Sequence, residues 1–406
     1  MSAHTSVEFL IWLLVAASVI AVIAKRIGIP YTVALVIGGL LLSAAPIGFL
    51  APLQMGQRPE WLTPDVILTL FLPALLFEGS LKINVRHLVA DLAPLLLLAN
   101  AGVLIATLVI GFALSRFAGM PVIVALLFGA MVSATDPISV LAIFKELRVA
   151  ERLSVLVECE SLFNDGTAIV LFEIFLAAAA GATIGIARGA GEFALSVLGG
   201  AALGLALGYG MCKATERIDD AEVEITLTTV VAYGAFLLAR HMHLSGVIAT
   251  VTAGLVIGNV AVKRGMSPRT LTALRAFWEY AAFVMNSVIF LLIGLEVRLG
   301  SLIGEWKVIL IAVAAIFAGR ILSVYTLVPL SNRFSKRVPT TWQHALVWGG
   351  LRGALSLALA LSLASGFPYR GEILNVTFGV VVFSILVQGL TIKPFLRALR
   401  ISPAAE

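Results

Sequence analysis

Glu160-Ser161-Leu162-Phe163-Asn164-Asp165 lies inside an otherwise apolar run from Leu153 to Ala180. A run of that length spans a bilayer as a helix, which places the Asp165 carboxylate far from bulk water. A charge at the centre of a spanning helix costs about 2.5–3.5 kcal/mol on the more lenient insertion scale. Ionisable groups kept at such depth line an ion or proton path and have a partner close by.

The surrounding chain agrees with a membrane setting. It has 406 residues, 60% hydrophobic and 13% charged, with a mean hydropathy of +1.05. That composition excludes a soluble globular protein and predicts an all-α, multi-pass membrane protein with the lipid bilayer as its solvent. About thirteen apolar stretches reach spanning length, at roughly 6–25, 30–50, 64–82, 91–116, 121–144, 153–180, 190–213, 222–240, 244–262, 271–298, 306–330, 341–366 and 372–397.

Loop charge sets the expected orientation. With the N-terminus outside, nineteen Lys and Arg fall on the inner side, among them Lys82, Lys145, Arg148, Arg152, Arg217, Lys263, Arg264, Lys336, Arg337 and Lys393. Seven fall outside, namely Arg58, Arg116, Arg188, Arg240, Arg298, Lys307 and Arg370, and Arg320 and Arg352 lie within spans. The excess predicts a cytoplasmic C-terminus in a cell (inner) membrane, and it accounts for the net charge of +5 without nucleic acid. The first six residues hold no Lys or Arg, so the first span reads as retained rather than as a cleaved signal. No loop exceeds about twenty residues, so residues 1–406 read as one membrane domain with no appended soluble module. No Gly-rich Lys-Ser/Thr loop is present, which leaves gradients or a partner to drive any work. Cys159 and Cys212 are too few to suggest a disulfide or a metal site.

Two spans are interrupted in a matching way. The fifth carries Ser133-Ala134-Thr135-Asp136-Pro137 and the twelfth Gly349-Gly350-Leu351-Arg352-Gly353. Pro137 lacks an N–H and pushes Asp136 away from helical dihedrals, and three glycines weaken the second helix similarly. Breaks at corresponding places predict two inverted repeats of six helices, 6–180 and 222–397, joined by 190–213, with discontinuous helices 5 and 12 crossing near the midplane.

Six charged residues fall well inside spans: Glu78, Asp136, Glu160, Asp165, Arg320 and Arg352. Their summed insertion cost of roughly 15–20 kcal/mol predicts that they cluster. Ser161 and Asp165, four apart, share a helix face, whereas Glu160 lies about 140° away and suits an arginine, either Arg320 or Arg352. Four carboxylates against two guanidiniums leave two negative charges. A bound cation or proton on Asp165 balances one, the positive ends of half-helices offset Asp136, and Glu78 is expected to hold a proton. Asp165, Ser161 and Thr135 are the candidate ligands, and Glu78 is either a further ligand or a protonated packing residue. Oxygens without a His or Cys cluster suit an alkali cation better than a transition metal. If Asp165 holds either a cation or a proton, competition at one site gives exchange, and one for one moves no net charge.

At these residues the chain resembles the cation:proton antiporter family 1, the sodium/proton exchangers of the NhaP and animal exchanger type. The resemblance runs over nearly the whole length and rests on Phe71-Leu72-Pro73-Ala74-Leu75-Leu76-Phe77-Glu78, Thr135-Asp136-Pro137, Glu160 to Asp165, Gly319-Arg320 and Gly349 to Gly353. It implies that Asp165 carries cation and proton, with Asn164 and Ser161 beside it, Thr135 and Asp136 in the unwound part of helix 5, and Glu78 at the edge of the site. It also implies a Glu160–Arg320 ion pair, Arg352 in the crossing region, electroneutral exchange from the Asn-Asp pair, a homodimer and an elevator-like movement. Cys159 departs from the glycine common there. No cofactor is implied beyond transported Na+ or Li+ and H+.

Other polar residues have plainer readings. Glu158, Glu173 and Glu296 fall towards span ends and read as interfacial, Asn100, Glu279, Asn286, Asn375 and Gln388 as helix contacts, and His87, His241 and His243 as solvated loop residues. K+/H+ exchange is the alternative within transport. An ion channel fits a lone carboxylate and broken helices less well, and no Ser/His dyad, zinc helix or cofactor motif supports an intramembrane enzyme.

Overall fold

The computed structural model describes residues 3–44, 63–182, 185–216, 218, 220–261, 266–296 and 299–401. Arg58, Arg217, Lys263, Arg264 and Arg298 of the loop-charge count, and the second stretch beyond 44, lie outside the described residues. Among the described residues the regular structure is entirely helical. The principal helices are α1 Ala3–Ile27, α2 Tyr31–Ala44, α3 Leu72–Lys82, α4 Leu92–Phe117, α5 Val122–Ser133, α6 Ile138–Leu147, α7 Glu151–Ala179, α8 Ile186–Thr215, α9 Ala221–His241, α10 Gly246–Ala261, α11 Pro268–Glu296, α12 Trp306–Ser331, α13 Thr340–Trp348, α14 Ala354–Ser362 and α15 Arg370–Ala398. Nine helical stretches among the described residues are long and apolar enough to cross a bilayer, counting Val122–Leu147 through its break, and α2 and α10 are shorter apolar helices.

Local chemistry starts several of these helices. Asp220 accepts from the backbone N–H groups of Glu222 at 3.0 Å and Val223 at 3.1 Å, and Ser245 accepts from Ile248 at 3.3 Å. Each satisfies donors that a helix start leaves without partners.

Packing divides the helices into two groups. One contains α4, α5, α7, α12, α14 and α15, and α5 packs at its heart against α4, α7 and α14. Along α5, Ala125, Leu127, Phe128, Ala130, Met131 and Val132 are fully buried. That is the behaviour of a helix apolar all round. The other group contains α1, α2, α3, α8, α9, α10 and α11, with α2 on α11 and α10 against α3, α8 and α9. Small residues bring its backbones together: Gly200, Gly204 and Gly208 of α8 face the backbone of Ser245, just before α10, and of Ala249 and Ala253 within it. Each group draws on both halves of the chain.

Charge is sorted to the two ends. At one end Arg152 pairs with Asp91, Nε to Oδ2 2.8 Å, and donates to the carbonyls of Lys336 and Arg337, while Lys393 pairs with Glu146. At the other, Arg240 donates to Asp65 at 3.0 Å and Thr69 at 3.1 Å.

Candidate functional site

Both interruptions are real breaks, and they touch. Helix α5 stops at Ser133, Ala134 is extended with ψ 143°, and α6 begins after Pro137. Helix α13 stops at Trp348 and α14 begins at Ala354. The N–H of Asp136 donates to the carbonyl of Leu351 at 2.8 Å, tying one break to the other.

Backbone groups freed by the breaks find side-chain partners, as buried peptide groups must. The N–H of Thr135 donates to Asn164 Oδ1 at 3.3 Å, and Asn164 Nδ2 donates to Thr135 Oγ1 at 2.8 Å. Ser161 Oγ donates to the carbonyl of Thr135. In the second break, Arg352 N–H donates to Ser384 Oγ at 2.8 Å and Arg352 Nη1 to the carbonyl of Gly350 at 3.0 Å. Ser384 sits in a π-helical turn, Ser384–Gln388, and itself donates to Gln388 Oε1 at 2.6 Å.

Each buried charge is compensated by a different device. Arg320 presents its fork to Glu160, Nη2 to Oε2 2.7 Å with a second bond from Nη1 to Oε1. The same guanidinium donates from Nε and Nη2 to the carbonyl of Leu346, at 3.1 and 2.9 Å. In an unbroken helix that carbonyl would accept from residue 350, so Arg320 repairs the break as well as pairing. Glu160 and Arg320 are 2% and 8% exposed. Arg352, 2% exposed, has backbone rather than carboxylate partners. Asp136 accepts from the N–H of Ile138, Oδ1 at 3.0 Å, and from that of Ala354, the first residues of α6 and α14. One carboxylate therefore faces the positive ends of two helices.

Glu78 differs from expectation. The expectation is a protonated carboxyl, yet Lys82, one turn further along α3, makes an ion pair with it and reaches Glu279 Oε1 of α11 at 3.1 Å. Lys82 ends α3 and reads from sequence as a loop charge, but packing of α3 beside α11 sets its exposed side chain at the edge of a cavity. Asp165 makes no hydrogen bond or ion pair among the described residues.

A cavity of about 830 Å³ runs along the boundary between the two helix groups. Asp165, Ser161, Thr135, Asp136 and Glu78 line it, with Tyr31 and Asn286 on the opposite wall, and it extends to Lys145, Arg148 and Glu151 at one end of the bundle. A second cavity of about 560 Å³ lies towards the other end, beside Asp65, Glu173, Arg240 and Arg370. Leu72 borders both. Glu158 and Glu173, read as interfacial, instead line these cavities, because neighbouring helices enclose the ends of α7. The signal for Glu158 was its seven-residue spacing from Asp165, which puts both on one helix face. Asn164 and Glu160 lie behind the cavity wall, at 1% and 2% exposure. The lining offers carboxylate, hydroxyl and carbonyl oxygens, and no group of three or more His, Cys, Asp or Glu among the described residues is placed to hold a metal.

Apolar helices of spanning length, arranged about two broken helices and an oxygen-lined cavity, define a multi-pass membrane protein with a polar site at its centre. The chain belongs to the sodium/hydrogen exchanger family, whose transmembrane description matches residues 13–398. It is 40% identical over 407 residues to the Na(+)/H(+) antiporter NhaG of Bacillus atrophaeus, covering 99% of this chain and 77% of that one. It is 39% identical to the Na(+)/H(+) antiporter NhaH of Halobacillus aidingensis, covering 97% of each. Its fold is similar to that of the sodium proton antiporter MjNhaP1 of Methanocaldococcus jannaschii, with a TM-score of 0.76, 21% identity, and 98% and 99% of the two chains covered.

Proposed function

We propose that this protein exchanges Na+ or Li+ for H+ across the cell membrane, one for one and without net charge, by competition of the two at Asp165. The observation that carries this reading is the contrast between Asp165 and its neighbours. Glu160 has Arg320, Glu78 has Lys82, Asp136 has two helix N-termini, and Asp165 alone of the four faces the cavity with no partner. A lone carboxylate beside the Ser161 hydroxyl and the Thr135 carbonyl and hydroxyl can replace part of an alkali cation's hydration shell. The same carboxylate can instead take a proton, and it cannot hold both.

Access from one end fits alternating exposure. The Asp165 cavity opens beside Lys145 and Arg148, and Leu72 stands towards the second cavity. On the loop-charge rule the open end is cytoplasmic, with the N-terminus outside and the C-terminus inside. We read the chain as thirteen spans in two inverted repeats, with the group holding α5 and α14 moving against the group holding α2, α3 and α11 within a homodimer. Glu160 with Arg320, and Arg352 at the crossing, hold the broken helices rather than the cargo.

The test is flux in proteoliposomes loaded with a pH-sensitive dye, under imposed Na+, Li+ or K+ gradients and with the membrane potential clamped at zero. Na+ and Li+ gradients are expected to move protons, and Asp165→Asn to abolish the movement. Preference for K+ would replace the cargo with that ion. A current that reverses with potential, or normal exchange by Asp165→Asn, would overturn the reading.

A further inference from the structure

We propose that Lys82 is a built-in rival of the transported cation, setting how tightly the cavity holds it. The inference takes its cargo from the antiport reading and adds a determinant of affinity to it. Lys82 is the last residue of α3. It makes ion pairs with Glu78 of its own helix and Glu279 of α11. Glu158 of α7 completes the surroundings, since Glu78, Lys82, Glu158 and Glu279 all line the cavity that holds Asp165. Two carboxylates from two helices thus hold one ammonium, and a third, Glu158, lines the same cavity.

Glu158, like Asp165, makes no hydrogen bond or ion pair among the described residues. The two stand seven residues, about 10 Å, apart on one face of α7. A cation moving along that face passes Lys82. With every group ionised, Glu78, Glu158, Glu279 and Lys82 sum to −2, and without the ammonium to −3. A unit charge about 10 Å away in a partly wet cavity changes monovalent cation affinity by about threefold to tenfold. Deep negative potential helps a cation enter and hinders its leaving, and transport needs both steps. The ammonium, fixed by two carboxylates, limits trapping without closing the path.

Apparent KM values for Na+ and Li+ from liposome flux, with ²²Na+ binding to the detergent-purified protein, test this. Lys82→Met is expected to lower both KM values by the same factor, about threefold to tenfold, without raising the maximal rate. Lys82→Arg is expected to restore the wild-type KM, and added choline chloride to narrow the gap between Met variant and wild type. Glu279→Gln, at a side chain more than half exposed, frees the ammonium and is expected to raise KM, as is Glu158→Gln. A purely structural tie between α3 and α11 predicts instead an unchanged or higher KM in Lys82→Met. That result, or a KM unmoved by Glu279→Gln, overturns the proposal. The ²²Na+ comparison decides for Lys82 even if wild-type liposomes move no protons, a result that would strike the antiport reading alone.

Discussion

Asn164 and Thr135 hold each other twice: the amide nitrogen donates to the Thr135 hydroxyl at 2.8 Å, and the Thr135 N–H donates to the amide oxygen at 3.3 Å. Both ends of Asn164 are committed to the break in the fifth span. Its effect on any ion is therefore through the position of Thr135, whose carbonyl also accepts from Ser161, one turn before Asp165.

Asn164→Ala leaves the buried N–H of Thr135 without an acceptor, a loss of about 1–3 kcal/mol. Asn164→Asp keeps an acceptor for that N–H, and the Thr135 hydroxyl can turn to donate to it, but a second carboxylate then stands beside Asp165. The expected order of thermal stability in detergent is wild type, then Asp, then Ala, with exchange slowed in both variants. Scanning fluorimetry and the flux assay read the two effects, and an Ala variant as stable as wild type would remove the anchoring role.

Glu160 and Arg320 are expected to matter for folding more than for affinity. Removing one partner of a buried pair strands the other charge, at a cost of about 3–5 kcal/mol. Here Glu160→Ala strands a guanidinium that also holds the Leu346 carbonyl. The folded yield should fall steeply while surviving protein keeps an apparent Na+ affinity near wild type. The double variant Glu160→Leu with Arg320→Met should recover part of the yield, since a packed apolar pair avoids stranding either charge. Normal yield with a strongly altered KM would reverse the assignment.

The breaks were legible because Thr135-Asp136-Pro137 and the three glycines from 349 to 353 concentrate helix-weakening residues beside a buried charge, whereas the isolated Pro329 and Pro394 leave their helices continuous. The apolar runs were legible for a different reason: lipid and core both demand them, and the described helices follow them closely. What stayed hidden depends on which helices become neighbours. Lys82 and Glu158 lie towards the ends of their runs, where a charge costs little and needs no explanation. Only the approach of α3 and α11 to α7 makes them walls of one cavity. The commitment of Asn164 was hidden too, because its partner is an extended segment whose path depends on the second break, through Asp136 and Leu351.

Asp136 is expected to act through its charge at two helix starts. The carboxylate accepts from Ile138 and Ala354. Asparagine can serve one of these N–H groups but turns its own NH2 towards the other. The loss of a charge–dipole contact and a cap amounts to about 1–2 kcal/mol. Asp136→Asn should lower the melting temperature and the maximal exchange rate, with Asp136→Glu no better, because the longer side chain overshoots both donors. Wild-type stability in the asparagine variant would show that the charge is not needed there.

Gly353 supplies the space that this carboxylate occupies. A Cβ at residue 353 would fall 2.6 Å from Asp136 Cβ and 2.7 Å from its Cγ, closer than such atoms approach, and would overlap the carboxylate oxygen as well. Asp136 has little room to retreat, since its N–H is fixed to Leu351 on the same segment. Gly353→Ala therefore forces the two breaks apart, with an overpacking cost of about 1–3 kcal/mol. The exchange rate should fall more than the folded yield, because the displacement lies at the crossing that places Thr135 on the wall of the cavity shared with Asp165. Gly366→Ala, at a glycine whose added Cβ would meet nothing within 4 Å, is the matched control and should behave as wild type. Equal flux from the two variants would mean that the crossing tolerates the extra methyl group.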